Sequence, residues 1–346
     1  MRNLALVTGG SGFLGSYIVN ELESSGWNVR ILDLLPPETV TFDYLRADIR
    51  DLDACLQACD GVDVVFHNVA QVPLAKNREL FESVNIEGTR NILEASTHHN
   101  VNNFVYTSSS AVYGLPRKMP ANSQRNLQPV EIYGQTKLRG EQLVSSYQEK
   151  IMNTSIVRPR TILGSGRLGL FSILFDWISE GLDVFVFDGG EHPYQFIHVD
   201  DLTKGIVSSA SIDGHNIYNL GATTFLSLRA DLEELCTYAK TGSRVRSIPS
   251  VYIKKPALLA AKMGLLPFAS YQLLLYSQEM YFDSVSDWKT LAVSPQFSNA
   301  QALIESYEWY LKHRNSSDLL TEKSLHKSIS TGKTTNLMKF FLKLIK

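Results

Sequence analysis

Short apolar runs and amphipathic stretches alternate through the first half of the chain. Leu4–Thr8 is an apolar run of buried-strand length. It leads through a glycine cluster into a helical stretch that ends near Ser25, with Gly26 placed as a C-cap. Further strands are predicted over residues 28–33, 43–48, 62–70, 103–109 and 154–160, and helices over 52–59, 80–100 and 132–148. Strands separated by helical stretches of this length imply βαβ units and a parallel sheet. Beyond about residue 160 the pattern loosens. A helix is predicted over 171–181, short β pieces over 183–187 and 196–199, and an amphipathic helix over 302–314. Residues 315–335 are rich in Ser, Thr and Lys with few apolar positions, which predicts a flexible linker. No internal repeat is visible.

The expected fold class is therefore α/β, a doubly wound parallel sheet with a smaller C-terminal α/β part. Residues 1–165 are expected to form the first region and 166–314 the second, interleaved with it. Composition adds exclusions. The 346 residues carry a formal net charge of −2, so there is no electrostatic footprint for nucleic acid. Cys55, Cys59 and Cys236 show no C-x-x-C spacing, and reduced, buried, inert thiols are expected. No metal site is expected. The chain starts straight into a strand with no secretory signal pattern, so a cytoplasmic location is expected. The uninterrupted apolar runs are too short to span a membrane. The stretch 256–276 comes nearer, broken by Lys262 and Pro267, and reads as a pair of buried or lid helices.

Two local patterns carry chemistry. Gly9, Gly12 and Gly15 lie between a predicted strand and a predicted helix. In that context Gly9 permits the tight turn, Gly12 lets backbone approach a pyrophosphate, and Gly15 allows close helix packing. The helix N-terminus then faces phosphate charge. Asp33 ends the second strand, where a carboxylate can accept both adenosine ribose hydroxyls and repel a 2′-phosphate. Leu34 follows it, which favours NAD over NADP. Arg30 reads as a solvated strand-edge residue. Asp48-Ile49 can embrace the adenine, or Asp48 can cap the next helix; the two roles are compatible.

The second pattern is Tyr133 and Lys137, a phenol and an ammonium one turn apart on one helix face. A free phenol has a pKa of about 10 and is a poor base at neutral pH. A neighbouring ammonium stabilises the phenolate, which can then take a proton from a substrate hydroxyl. Such pairs are often plain helix surface, and position gives this one its weight. The preceding strand ends in a Ser108-Ser109-Ser110 turn, where a hydroxyl can bind the substrate oxygen.

In these residues the chain resembles the extended short-chain dehydrogenase/reductases, the group of nucleotide-sugar epimerases, dehydratases and 3β-hydroxysteroid dehydrogenases. The matching pieces are TGGSGFLG (8–15), Asp33, ADIRD (47–51), HNVA (67–70), NIEGTRNILEA (85–95), YTSSSAVYG (106–114), YGQTK (133–137), VRPRTILG (157–164) and FIHVDDL (196–202). The resemblance implies a Rossmann-type sheet in 1–165 and a substrate-binding part in 166–314. It implies Ser109, Tyr133 and Lys137 as catalytic residues, Ser109 being selected by counting back from Gly114. It also implies NAD contacts from Gly9, Gly12, Phe13, Leu14, Gly15, Asp33, Asp48, Ile49, Val69, Ala70, Tyr133, Lys137 and Pro159. His198 and Asp200 are expected to be structural. The implied activity is NAD-dependent oxidoreduction or epimerisation at a hydroxyl or ketone carbon of a sugar, nucleotide-activated. The alternative is oxidation of a lipidic alcohol by a 3β-hydroxysteroid dehydrogenase-like enzyme; a non-catalytic NAD-binding scaffold does not need the three catalytic residues. Sugar-nucleotide epimerases carry a diphosphate-gripping Arg where Tyr194 stands here, and Arg158, Arg160 and Arg167 are the candidates to compensate. A homodimer is expected. So is peripheral contact with the inner face of a membrane through 336–346 (NLMKFFLKLIK), whose apolar and lysine positions fall on opposite sides of a helix; docking of this tail on protein is the equal alternative.

Overall fold

The computed structural model describes residues 3–38, 42–71, 78–115, 118–122, 127–151, 153–167, 171–251 and 278–314. The stretches 256–276, 315–335 and 336–346 lie outside the described residues. The chain forms two compact units. One comprises Met1–Arg160, Val199–Gly221 and Phe282–Gln296; the other comprises Thr161–His198, Ala222–Tyr281 and Phe297–Lys346.

The strands are β1 Leu4–Thr8, β2 Asn28–Asp33, β3 Asp43–Arg46, β4 Val64–His67, β5 Asn103–Thr107, β6 Asn153–Pro159, β7 Thr161–Leu163, β8 Val184–Phe187, β9 Phe196–His198, β10 His215–Leu220 and β11 Val245–Ile248. The described α-helices are α1 Phe13–Ser24, α2 Leu52–Cys59, α3 Arg78–Glu82, α4 Thr89–His98, α5 Ile132–Ser146, α6 Phe171–Ser179, α7 Val199–Ser209, α8 Leu228–Ala239, α9 Val285–Thr290 and α10 Asn299–His313.

The first unit is built on a seven-stranded sheet in the order β10-β6-β5-β4-β1-β2-β3, with every pair parallel. Its central strands are apolar on both faces: Ala5, Leu6 and Val7 are buried, as is every residue of β4. A parallel sheet covered by helices demands this, which explains why these strands read as continuous apolar runs. Strand order reverses between β1 and β4, the switch point at which an open parallel sheet leaves a crevice beyond its strand ends.

Two features depart from the expected pattern. The seventh strand, β10, pairs with β6 from His215–Thr154 to Leu220–Pro159. It interleaves polar and apolar residues because it is an edge, with its first half exposed or half-buried, so it carries no continuous apolar run. The helix predicted over 80–100 is three pieces: α3, a π-helical turn Ser83–Gly88, and α4. A Cβ at Gly88 would lie 2.4 Å from Ile49 Cδ1, so glycine lets this turn sit directly on the Ile49 side chain.

The second unit holds two parallel strand pairs, β7 with β9 and β8 with β11. Aromatic packing ties its elements together: Phe175 of α6 meets Tyr307 of α10 edge-on at 5.8 Å, and Phe171 of α6 meets Phe196 of β9 at 5.5 Å. Ser298 and Gln301 form a capping box that starts α10 a few residues before the expected 302. His198 stacks on Phe297 at 3.7 Å and lies 3.0 Å from Glu305, a packed arrangement inside this unit.

Candidate active site

The glycine loop follows β1. Gly9 has φ +72°, which glycine adopts without strain, and its N–H donates to Leu32 O at 2.8 Å. A Cβ at Gly15 would lie 1.9 Å from Gly9 O, so α1 packs on the loop itself rather than only on the strand. Gly10, which the sequence reading passed over, is also constrained, though by a side chain: its Cβ would meet Ile31 Cγ2 at 2.8 Å. Gly12 is the N-cap of α1 and brings no side-chain cap, and the first turn, with Phe13 and Leu14, holds no acid. The dipole of a helix start without an acid of its own favours an anion there.

Asp33 closes the other side of the loop. Its carboxylate accepts Ser11 N–H and Leu35 N–H, each at 3.1 Å. Burial raises its pKa and those backbone donors oppose the rise. Asp48 pairs with Arg50 at 2.6 Å, which holds its pKa low. The cap of α2 is Asp51, accepting from Asp53 N and Ala54 N, so the alternative role for Asp48 as helix cap is corrected. Ile49 sends its side chain into the core against Gly88, leaving Asp48 as the surface member of the pair. Arg30 is also corrected: it is tied to Asp43 at 2.6 Å and donates to Ala58 O and Asp60 O, and so braces β2 against β3 and α2.

Beneath the loop runs a buried polar chain. Thr8 Oγ1 lies 2.7 Å from His67 Nδ1, and His67 Nε2 lies 2.9 Å from Thr89 Oγ1, which donates to Asn85 O. Burial, then the charge of Lys137, pushes the His67 pKa down to about 3, so this imidazole is neutral and structural. Val69 packs on Gly9, where an added Cβ would meet it at 3.2 Å, and half-buried Ala70 follows. Asn85 is the residue that sequence reasoning missed. It sits in the π-helical turn, exchanges hydrogen bonds with Gln71 N and O, and donates to Thr136 Oγ1 at 3.0 Å. Thr136 in turn donates to Tyr133 O, so Asn85 reaches the Tyr133 turn through one hydroxyl. The only sequence signal was its place in NIEGTRN, and π-turns recur at functional sites.

Tyr133 and Lys137 lie in the first two turns of α5. A Cβ at Gly134 would sit 2.6 Å from Ala111 O, so this helix start packs backbone-close on the 3₁₀ turn Ser110–Tyr113. Tyr133 is half-buried. Lys137 is buried; its Nζ donates to Thr107 O at 2.7 Å and stands 4.9 Å from the Tyr106 ring centroid. Burial pushes the Lys137 pKa down to about 7, with the Glu141 carboxylate opposing.

The three serines at the β5 end are separated by their partners. Ser108 donates to Glu141 Oε1 at 2.5 Å and is buried; Ser110 accepts from Arg160 Nη1 at 2.9 Å and is buried. Ser109 is half-buried, caps the 3₁₀ turn by accepting Ala111 N–H at 3.2 Å, and keeps a hydroxyl proton to donate. Arg158 is locked in a buried ion pair with Glu141, and Arg160, also buried, stacks over Phe282 at 5.7 Å. The expectation that Arg158 can serve as a free phosphate grip is therefore corrected, since the sheet interior already supplies its counter-ion. Pro159 ends β6, and Tyr194 is buried against Phe196 in the second unit. The three cysteines are buried, with thiol pKa values pushed up by burial to about 12, 12 and 11, which makes them poor nucleophiles. Among the described residues no cluster of His, Cys, Asp and Glu could hold a metal ion.

The glycine loop, the helix start and the Asp33 carboxylate beside them supply the parts a dinucleotide site needs, and Tyr133, Lys137 and Ser109 are residue types that proton exchange at a hydroxyl can use. The chain belongs to the NAD-dependent epimerase/dehydratase family, whose profile matches residues 5–221. It is similar to an uncharacterised protein, y4nG, of Sinorhizobium fredii, at 44% identity over 90% of this chain and 80% of that one. It is 32% identical to a putative UDP-glucose 4-epimerase of Methanocaldococcus jannaschii, over 58% of this chain and 71% of that protein. A sterol-4-alpha-carboxylate 3-dehydrogenase of Mus musculus is 31% identical over 59% of this chain and 58% of that protein. The fold is shared with MoeE5, solved with UDP-glucose and NAD, at a TM-score of 0.71 and 21% identity, covering 90% of this chain and 99% of that one. The protein is an NAD-dependent enzyme with a Rossmann-type α/β fold.

Proposed function

We propose that the enzyme interconverts a secondary hydroxyl and a ketone, with Tyr133 moving the proton, Lys137 tuning it and Ser109 orienting the substrate oxygen. The observation that carries this reading is the sorting of the three serines: Ser109 alone among them is half-buried with a hydroxyl proton to give. Bound NAD supplies the hydride acceptor or donor. Asp33 holds the ribose diol and the α1 start holds the pyrophosphate. The Lys137 ammonium, fixed by Thr107 O, favours the Tyr133 phenolate, which takes the hydroxyl proton in oxidation and returns it in reduction. Replacing Tyr133 by Phe is expected to lower turnover by about 10² to 10⁴ with NAD binding retained; normal turnover by that variant overturns the assignment.

For the substrate, the epimerase-like relative supports a sugar, nucleotide-activated. A second reading, a lipidic alcohol, is favoured by a specific observation: Arg158 and Arg160 are buried on partners of their own, and Tyr194 is buried at the position of the diphosphate-gripping arginine. Incubation with UDP-sugars and sterols, read at the reduced-nicotinamide band and by product analysis, separates the two. A 4-epimer without net reduced cofactor supports the sugar, and stoichiometric reduced cofactor with a sterol ketone supports the lipid. We further propose a homodimer, read by sedimentation, and peripheral membrane contact through 336–346. Among the described residues no helix is long and apolar enough to cross a membrane.

A further inference from the structure

One turn beyond Lys137 on α5 lies Glu141, which is 4% exposed. Its Oε1 accepts the Ser108 hydroxyl at 2.5 Å and Arg158 Nε at 2.8 Å, and its Oε2 accepts Arg158 Nη2 at 2.7 Å. Arg158 Nη1 donates to the Tyr113 hydroxyl at 2.8 Å, and that hydroxyl donates to Asn219 Oδ1 at 2.8 Å. Four elements of the first unit, α5, β6, the turn after β5, and β10, are thus joined by one buried network. A buried ion pair is weak evidence for stability, because desolvation offsets much of the attraction. Its use here lies in what it is attached to: the residue before Ser109 on one side, and the helix carrying Tyr133 and Lys137 on the other.

We propose that Glu141, held by Arg158, is a positioning residue that clamps the Ser108–Ser110 turn to α5 and balances the Lys137 ammonium with its carboxylate. This rests on the reading of Tyr133 and Lys137 as the proton-transfer pair. The groups around Lys137 are Glu141 and, one turn earlier, Tyr133 on its own helix, Tyr106 and Thr107 O on β5, and neutral His67 on β4; Arg158 on β6 enters through its ion pair with Glu141. Glu141 is the carboxylate in this set, and its charge acts to raise the Lys137 pKa. Removing that charge makes proton loss easier throughout the Tyr133–Lys137 pair, so the pair's titration moves to lower pH. An opposite charge within about 4–6 Å moves a pKa by roughly 1–3 units.

The test uses the full chain with NAD, tyrosine labelled with ¹³C at Cζ, and the Tyr133 signal assigned by its loss in Tyr133→Phe. Glu141→Gln is expected to lower the titration midpoint by about one pH unit, and Glu141→Asp to recover most of it. An unmoved midpoint in folded Glu141→Gln overturns the charge role. Ser108→Ala removes no charge and cuts one arm of the clamp. It is expected to speed hydrogen exchange of the Ala111 amide, which Ser109 Oγ accepts, by about tenfold, the scale of one hydrogen bond to a charged group. Unchanged protection of that amide overturns the clamp, and decides the matter alone if Glu141→Gln does not fold. The two readings fail separately. Full activity in Tyr133→Phe removes the catalytic pair; an inactive Tyr133→Phe beside an unmoved Glu141→Gln titration removes this inference.

Discussion

At the scale of single residues, two groups combine a local task with a measurable energetic signature. Asp33, proposed for the ribose, also serves the loop, since its carboxylate already accepts Ser11 N–H and Leu35 N–H. Asp33→Ala is therefore expected to weaken NAD binding by about tenfold or more, the loss of a charge-assisted hydrogen bond, and to narrow the preference over NADP; isothermal titration with both cofactors reads this. Lys137 has the opposite signature. Its pKa falls from 10.5 in the unfolded chain to about 7 in the folded one, chiefly through burial. The cost of burying the cation is present in full below about pH 7 and is lost as pH rises toward 10.5. In cofactor-free protein Lys137→Met is expected to raise Tm at pH 6, by roughly 2–4 °C for each kcal/mol recovered, with the gain narrowing between pH 7 and 10. A Tm gain that is constant with pH would exclude the titration as its cause. The same variant is expected to lose activity, so the site trades stability for a poised ammonium.

At the scale of elements, the glycine loop is set by close approach more than by flexibility. Gly15 has no room for a Cβ against Gly9 O, and the neighbour is backbone, which cannot swing aside. Gly15→Ala is expected to displace α1 from the loop, lowering Tm and NAD affinity together, measured by thermal melts with and without cofactor; retained affinity would mean that the loop re-forms around the methyl group. This element was legible beforehand because strand, glycines, helix and acid stand in fixed order within one short stretch. The π-helical turn was not. Its sequence, SVNIEG, has the apolar spacing of an ordinary helix, and the extra residue becomes visible only when Gly88 is seen seated on Ile49 and Asn85 reaching Thr136.

At the scale of the whole molecule, the described chain closes with α10, whose Tyr310 hydroxyl donates to Asp176. A chain ending at Arg314 is expected to retain NAD affinity, and co-sedimentation of both forms with anionic liposomes at low salt tests the amphipathic-tail expectation; equal sedimentation of the two removes it. The division between sequence and tertiary structure follows the range of the forces involved. Period, turn chemistry and the i, i+4 pairing of Tyr133 with Lys137 are local, so the sequence by itself determined the parallel α/β pattern, the dinucleotide loop and the phenol–ammonium pair. The partners of Ser108 and Ser110, the capture of Arg158 by Glu141, and the placing of β10 beside β6 depend on residues far apart along the chain. Only the folded sheet decided those, because an ion pair or a strand register is set by which distant groups packing brings within hydrogen-bond reach.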